Sequence, residues 1–256
     1  MNSWKKIKSW FIKMGSTPGF FNSTTRYVSW FGLFAFLILT FGLIWGIFFS
    51  PPDYKQGEVY RIIYIHVPSA ILAESVLITM SIFGFLNLVW RVKIAGMLVR
   101  SAAPIGASFT FLALISGSIW GYPTWGTWWV WDARLTSTLL LFFIYASIIG
   151  LYSFSDNQLK GDKSISLLSI VGIAIIPIIK KSVDWWQTLH QPSTFSLTSA
   201  PSMSPEMYIP LAICVIGFYF IYIFMLIQRL RVEILYRERD TRWVGLYFQN
   251  KLEKIS

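Results

Sequence analysis

The stretch Val28–Phe49, VSWFGLFAFLILTFGLIWGIFF, decides the fold. It contains no Asp, Glu, Lys or Arg. A bilayer core takes roughly 20 apolar residues per helix, so this stretch is long enough to cross one. No small-residue cleavage site follows it, so it reads as a retained span and not a signal peptide. The whole chain agrees. It has 256 residues, of which 55% are hydrophobic and 13% charged, where soluble domains carry about 25% charged residues.

Working outward, five further windows qualify, at about 62–89, 94–119, 135–154, 164–179 and 208–227. The fifth is the shortest and holds Pro177; it starts earlier, tilts, or sits in a locally thinned bilayer. The fold class expected is an all-α integral membrane protein of six transmembrane helices. A short Trp-rich amphipathic helix or loop is expected at its outer, periplasmic face. Three regions follow: a basic tail at 1–27, a membrane domain at 28–227 with the Trp-rich loop at 120–134, and a second basic tail at 228–256.

Six spans put both termini on one side, and Lys and Arg decide which. The tails and the loops after the second and fourth spans hold seventeen of the 22 basic residues. The other loops hold only Lys55, Arg61, Arg134, Lys180 and Lys181. Both termini are therefore expected in the cytoplasm, with the tails touching anionic membrane lipid. The +10 net charge is ordinary positive-inside bias, and no nucleic-acid partner is expected. The single Cys214 offers neither a disulfide nor a thiolate metal site.

The outer side then owns three loops, roughly 50–61, 120–134 and 180–207. The chain's two histidines, His66 and His190, both fall at this face. One histidine is usually a hydrogen-bonded structural residue. Two at one face suit the two axial positions of haem iron, whereas zinc would want further ligands.

Between them in sequence lies WGYPTWGTWWVWDARL, with Trp120, Trp125, Trp128, Trp129 and Trp131 in twelve residues. An interfacial aromatic belt explains scattered residues such as Trp4, Trp10, Trp30 and Trp45, but not this density. Read as a helix, Trp125, Trp128, Trp129 and Asp132 share a face. Gly121, Pro123 and Gly126 favour a turn leading into such a helix. A flat apolar platform for a large flat ligand accounts for the cluster, and a porphyrin fits. Trp185 and Trp186 stand to close the platform from the other side. Arg61 and Arg134 are candidate partners of the porphyrin propionates, with interfacial snorkelling as the plain alternative; Lys180 and Lys181 are weaker candidates. Asp132 fixes the loop, caps the fourth span, or holds an Arg or a His N–H. Glu74 lies roughly on the face of His66, either as a functional acid or as a protonated, hydrogen-bonded core carboxyl. Met203 and Met207 could serve as axial ligands, but Met in a loop is usually packing.

These segments resemble a known family. WGTWWVWDARLTS is similar to the tryptophan-rich signature of haem-handling proteins of cytochrome c assembly. YRIIYIHVPSA and DWWQTLHQPST resemble the histidine segments of the haem exporter protein C family of the cytochrome c maturation system. The resemblance covers nearly all of the chain. It implies non-covalent haem b at the outer face of a bacterial inner membrane, with His66 and His190 as axial ligands. It implies delivery to a periplasmic haem chaperone, the E protein of that system. It also implies work beside the A and B subunits of an ABC-type complex and a small D subunit. A mitochondrial inner membrane would give the same pattern. No phosphate-binding loop is present, and no catalysis by this chain is expected. Two other readings stand beside it: a haem-free, proton-coupled transporter using Glu74, and a membrane redox protein with structural haem.

Overall fold

The computed structural model describes residues 4–5, 9, 13–186, 188–190 and 203–253. Among the sequence candidates, Lys6, Lys8, Trp10 and Lys254 lie outside these. Helix α1, Thr17–Thr25, starts at Ser16, whose hydroxyl accepts the Gly19 amide, and carries Pro18 in its first turn. Helix α2, Val28–Ile44, runs on through a wider π turn at Trp45–Phe49. A 3₁₀ turn, Glu58–Ile62, feeds α3, Ile63–Trp90. Then come α4, Lys93–Trp125, and α5, Ala133–Ser153. One further crossing is made in two pieces, α6, Gln158–Gly172, and α7, Ile175–Trp185. Helix α8, Pro205–Arg237, and the short α9, Arg242–Leu252, complete the chain.

Six segments are long and apolar enough to cross a membrane: Val28–Phe49, Glu58–Trp90, Lys93–Trp125, Ala133–Ser153, Gln158–Trp185 and Pro205–Arg237. The six expected spans are all present, but most run past their apolar windows. Apolarity marks only the part that must sit in hydrocarbon, whereas hydrogen bonding and capping carry a helix on into the interface. The fifth span begins at Gln158, capped by the Asn157 side chain, which accepts the Leu159 and Lys160 amides. Its break falls at Ile173–Ala174, just before Pro177, which sits in the first turn of α7 where a missing N–H costs least.

Helix α3 is central. Its Leu72, Val76, Leu77 and Met80 are buried with Val99 and Ile105 of α4, Leu141, Tyr145 and Ile148 of α5, and Ile165 of α6. Helix α2 is peripheral and lies along α8. There Gly42 meets Cys214 and Gly217 meets Leu39 so closely that a Cβ at either glycine would come within 3.0 Å of its neighbour. Small residues that let backbones approach are the usual basis of helix contact in lipid. The remaining faces of α2, with Phe36, Phe41 and Phe48 exposed, present an apolar surface suited to acyl chains.

The bundle has a histidine end and a terminal end. At the terminal end Arg237 donates to both carboxylate oxygens of Asp162, at 2.6 and 2.8 Å, and also to Glu233 and to the Tyr152 hydroxyl. Arg100 joins through Glu233 at 2.5 Å and Tyr152 at 2.7 Å. Glu238 accepts from Thr17 at 2.7 Å, Lys93 at 2.8 Å and Trp243 at 2.7 Å, so one carboxylate ties α1, α4, α8 and α9 together. Burial works against its charge, yet these partners hold the Glu238 carboxyl below its ordinary range.

Candidate functional site

His66 is on the first turn of α3, facing α4. Its Nδ1 lies 3.1 Å from the Ala113 carbonyl and 3.1 Å from the Ser116 hydroxyl. A carbonyl can only accept, and the Ser116 proton is already given to the Leu112 carbonyl at 2.6 Å. Nδ1 therefore carries the hydrogen, which leaves the Nε2 lone pair available. Room for the ring comes from Gly117, where a Cβ would sit 3.0 Å from the His66 Cε1.

His190 reaches the same state by another route. Its Nδ1 lies 3.2 Å from Asp132 Oδ2, and the carboxylate accepts. The other oxygen of Asp132 accepts the Leu135 amide at 2.8 Å and so caps α5. Asp132 thus fills two of the roles expected of it with two oxygens. Burial pushes the His190 imidazole below its ordinary 6.5, and Asp132 draws it part of the way back. The two imidazoles are within electrostatic range of each other, and Arg134 is within range of both and of Glu74. Among the described residues neither Nε2 has a hydrogen-bond partner.

The tryptophans divide. Trp120 stands edge-on to His66 at 5.6 Å, its Nε1 donating to Gln56 at 2.6 Å. Trp125 stands edge-on to His190 at 4.8 Å, beside Gly121, where a Cβ would meet its ring at 2.9 Å. Trp128 stacks on Tyr122 at 4.4 Å, and Trp129 meets Trp131 edge-on at 5.5 Å. Trp128 and Trp129 also line an apolar groove of about 450 Å³ between α4 and α5, with Phe111, Ile115, Ile119 and Phe142. Trp129 Nε1 is buried without a partner among the described residues, a donor still to be satisfied.

Several expectations need correction. No short helix joins the tryptophans. Helix α4 instead continues through Gly121 and Pro123 to Trp125, closes on Gly126 at φ +77°, and residues 127–132 are not helical. The Trp-rich segment is thus helix as far as Trp125 and loop from Gly126 to Asp132, and Trp125, Trp128, Trp129 and Asp132 do not share a helix face. The reason is local: Pro123 tolerates a helical φ and loses only one hydrogen bond near a helix end, whereas glycine takes the left-handed closing conformation readily. Arg61 is occupied, bonded to Glu58 and to the Gly46 and Ile47 carbonyls that end the first span. Arg134 has no carboxylate within ion-pair distance among the described residues. Lys180 Nζ lies 2.9 Å from Glu74 Oε2, so the buried carboxyl has a cationic partner. Lys181 pairs with Asp184. Trp185 and Trp186 touch each other at 5.8 Å and make no ring contact with the Trp-rich loop among the described residues. Met203 and Met207 pack beside Tyr60 and Tyr64, as read.

Sequence reasoning missed Ser116, Gly117 and Gln56. The first two had a signal: they lie four and three residues before Trp120, on its face of α4. Gln56, in the first loop, had none.

The fold and site define a six-span membrane protein with two Nε2-available imidazoles and an aromatic loop at one end. The family model described as "Heme exporter protein C" matches residues 10–245. A protein of that name from Haemophilus influenzae is 47% identical over 216 residues, covering 83% of this chain and 87% of the relative. One from Escherichia coli K12 is 42% identical over 243 residues, covering 94% and 96%. A Marchantia polymorpha protein, named as a putative ccmC-like mitochondrial protein of cytochrome c biosynthesis, is 39% identical over 218 residues, covering 85% and 89%. The chain belongs to the heme exporter protein C family.

Proposed function

We propose that this protein binds haem non-covalently at the histidine end and serves its export and handling during cytochrome c maturation, without catalysing a reaction of its own. One observation carries the reading. Both histidines of the chain have Nδ1 tied to an acceptor and Nε2 without a partner among the described residues, the state an axial ligand needs. Haem is the cargo, and His66 and His190 would take its iron from the two faces. Trp120 and Trp125 steady the imidazoles, while Trp128, Trp129 and Trp131 offer apolar surface to the macrocycle. Arg134 is the cation best free to meet a propionate. The histidine end then faces the periplasm of a bacterial inner membrane, and the termini face the cytoplasm. The names of the relatives, which speak of haem export and cytochrome c biosynthesis, support this assignment. The ABC-type A and B subunits, a small D subunit and the periplasmic haem chaperone are the partners proposed.

The test is optical. The purified protein is expected to show the Soret band of a b-type haem with two imidazole ligands. His66→Ala and His190→Ala together are expected to abolish it with membrane insertion intact. A double variant that keeps the haem and the spectrum would overturn the ligand assignment. Transfer of haem to the purified chaperone, lost in Trp128→Ala with Trp129→Ala, tests delivery separately.

A further inference from the structure

Far from the histidines, at the terminal end, a cavity of about 480 Å³ lies between α4 and α8, lined by Arg100, Ser101, Gln228, Arg229, Val232 and Glu233. Its depth is fixed by sequence. Residues 208–227 of α8 carry no charge, and twenty helical residues span about 30 Å, the thickness of the hydrocarbon core. Gln228 and Arg229 come next. On α4, Arg100 is the last charged residue before a charge-free run that ends at Asp132. Both walls of the cavity therefore pass from apolar to charged at one level, that of the lipid headgroups.

The charges around it do not cancel. Arg100 and Arg237 share Glu233, and Arg237 also takes Asp162, so two guanidiniums meet two carboxylates in a closed set. Arg229 is left over. Its Nε donates to the Ser101 carbonyl at 3.1 Å, which orients the side chain against α4, and no carboxylate pairs with it among the described residues. Arg100 is also held in place, with its guanidinium 3.7 Å from the centre of the Tyr152 ring. A snorkelling arginine is free to wander; these two are anchored, one on each wall. An oriented guanidinium with open N–H groups matches phosphate geometry.

We infer that this cavity binds the phosphate group of an anionic phospholipid, with Arg229 as the residue that holds it and the Gln228 amide beside it. The inference is independent of the haem reading. It is tested on the full-length protein, stripped of lipid and exchanged into equal phosphatidylglycerol and phosphatidylcholine, with bound lipid counted by native mass spectrometry. One basic residue near a headgroup gives about a fivefold preference for anionic lipid. That preference is expected in the wild type and in Arg239→Gln, an exposed basic control outside the cavity, and is expected to vanish in Arg229→Gln. Arg229→Lys keeps the charge and is expected to retain part of it. Equal preference in Arg229→Gln and the wild type would overturn the site. So would an equal loss in Arg239→Gln, which would mean diffuse surface charge. Displacement of the lipid by inorganic phosphate alone would assign the cavity to a small free anion. A protein partner lost in Arg229→Gln, with lipid preference unchanged, would assign it to a protein interface.

Discussion

At the terminal end, Arg237 is 2% exposed and both oxygens of Asp162 and one of Glu233 are given over to it. At the histidine end, 2 imidazole nitrogens and the Trp129 Nε1 have no partner among the described residues, and Trp131 is 76% exposed. The cluster around Arg237 satisfies itself. The histidine end holds its groups in position without using them up. Buried polar groups are otherwise paired almost without exception, so the contrast separates a closure that holds helices from a site prepared for something outside the chain.

Breaking the closed end should give the largest effect. Arg237→Ala leaves Asp162 and Glu233 without their shared cation, and an orphaned buried charge costs about 3–5 kcal/mol. Thermal unfolding in detergent should fall by on the order of 10 °C, while the fraction still folded keeps its haem spectrum. The open end should behave the other way round. Asp132→Asn keeps a helix cap but removes the charge that orients His190. Haem affinity should drop about 10–100-fold with thermal unfolding unchanged, as read by haem titration.

Acidity should separate the ends further. His190 is neutral in the fold and its affinity for a proton is depressed. Protonation therefore favours states in which the ring has left its site, and haem retention should decline as pH falls below about 6.5. Glu238 has a depressed carboxyl, so its contribution is present above its ordinary 4.5 and is lost only as pH falls below that. Haem loss should precede unfolding in an acid titration followed by absorbance and by circular dichroism. The smallest effect is expected at Glu74, whose pairing with Lys180 links α3, which bears His66, to α7, which leads to His190. Lys180 is more than half exposed, so Glu74→Gln should weaken haem retention by at most about fivefold. The charge-reversed pair Glu74→Lys with Lys180→Glu should restore part of it.

The spans, their number and the gathering of both histidines at one face were legible because lipid allows few alternatives to an apolar helix. What escaped was set by contacts distant in sequence. Lys180 was placed in a loop because α7 runs beyond its apolar window, and only that extra turn brings it to Glu74. Arg61 looked free because the Gly46 and Ile47 carbonyls it serves are fifteen and fourteen residues away. The Trp-rich loop suggested a helix because its spacing fits one, and spacing alone cannot show that Gly126 has already closed the helix before it.

Asp132 has a consequence for how the molecule is made. One of its oxygens starts α5 and the other waits for a ring 58 positions later in the chain. A ribosome delivers His66 early and His190 only after the fifth crossing is complete. Until then the growing polypeptide holds a single imidazole and a carboxylate with one oxygen idle. If haem is held as proposed, between His66 and His190, capture on both faces of the iron would have to wait until His190 has been made. A chain stopped after Trp186 keeps the first five spans whole, and should insert them yet show no bis-imidazole spectrum.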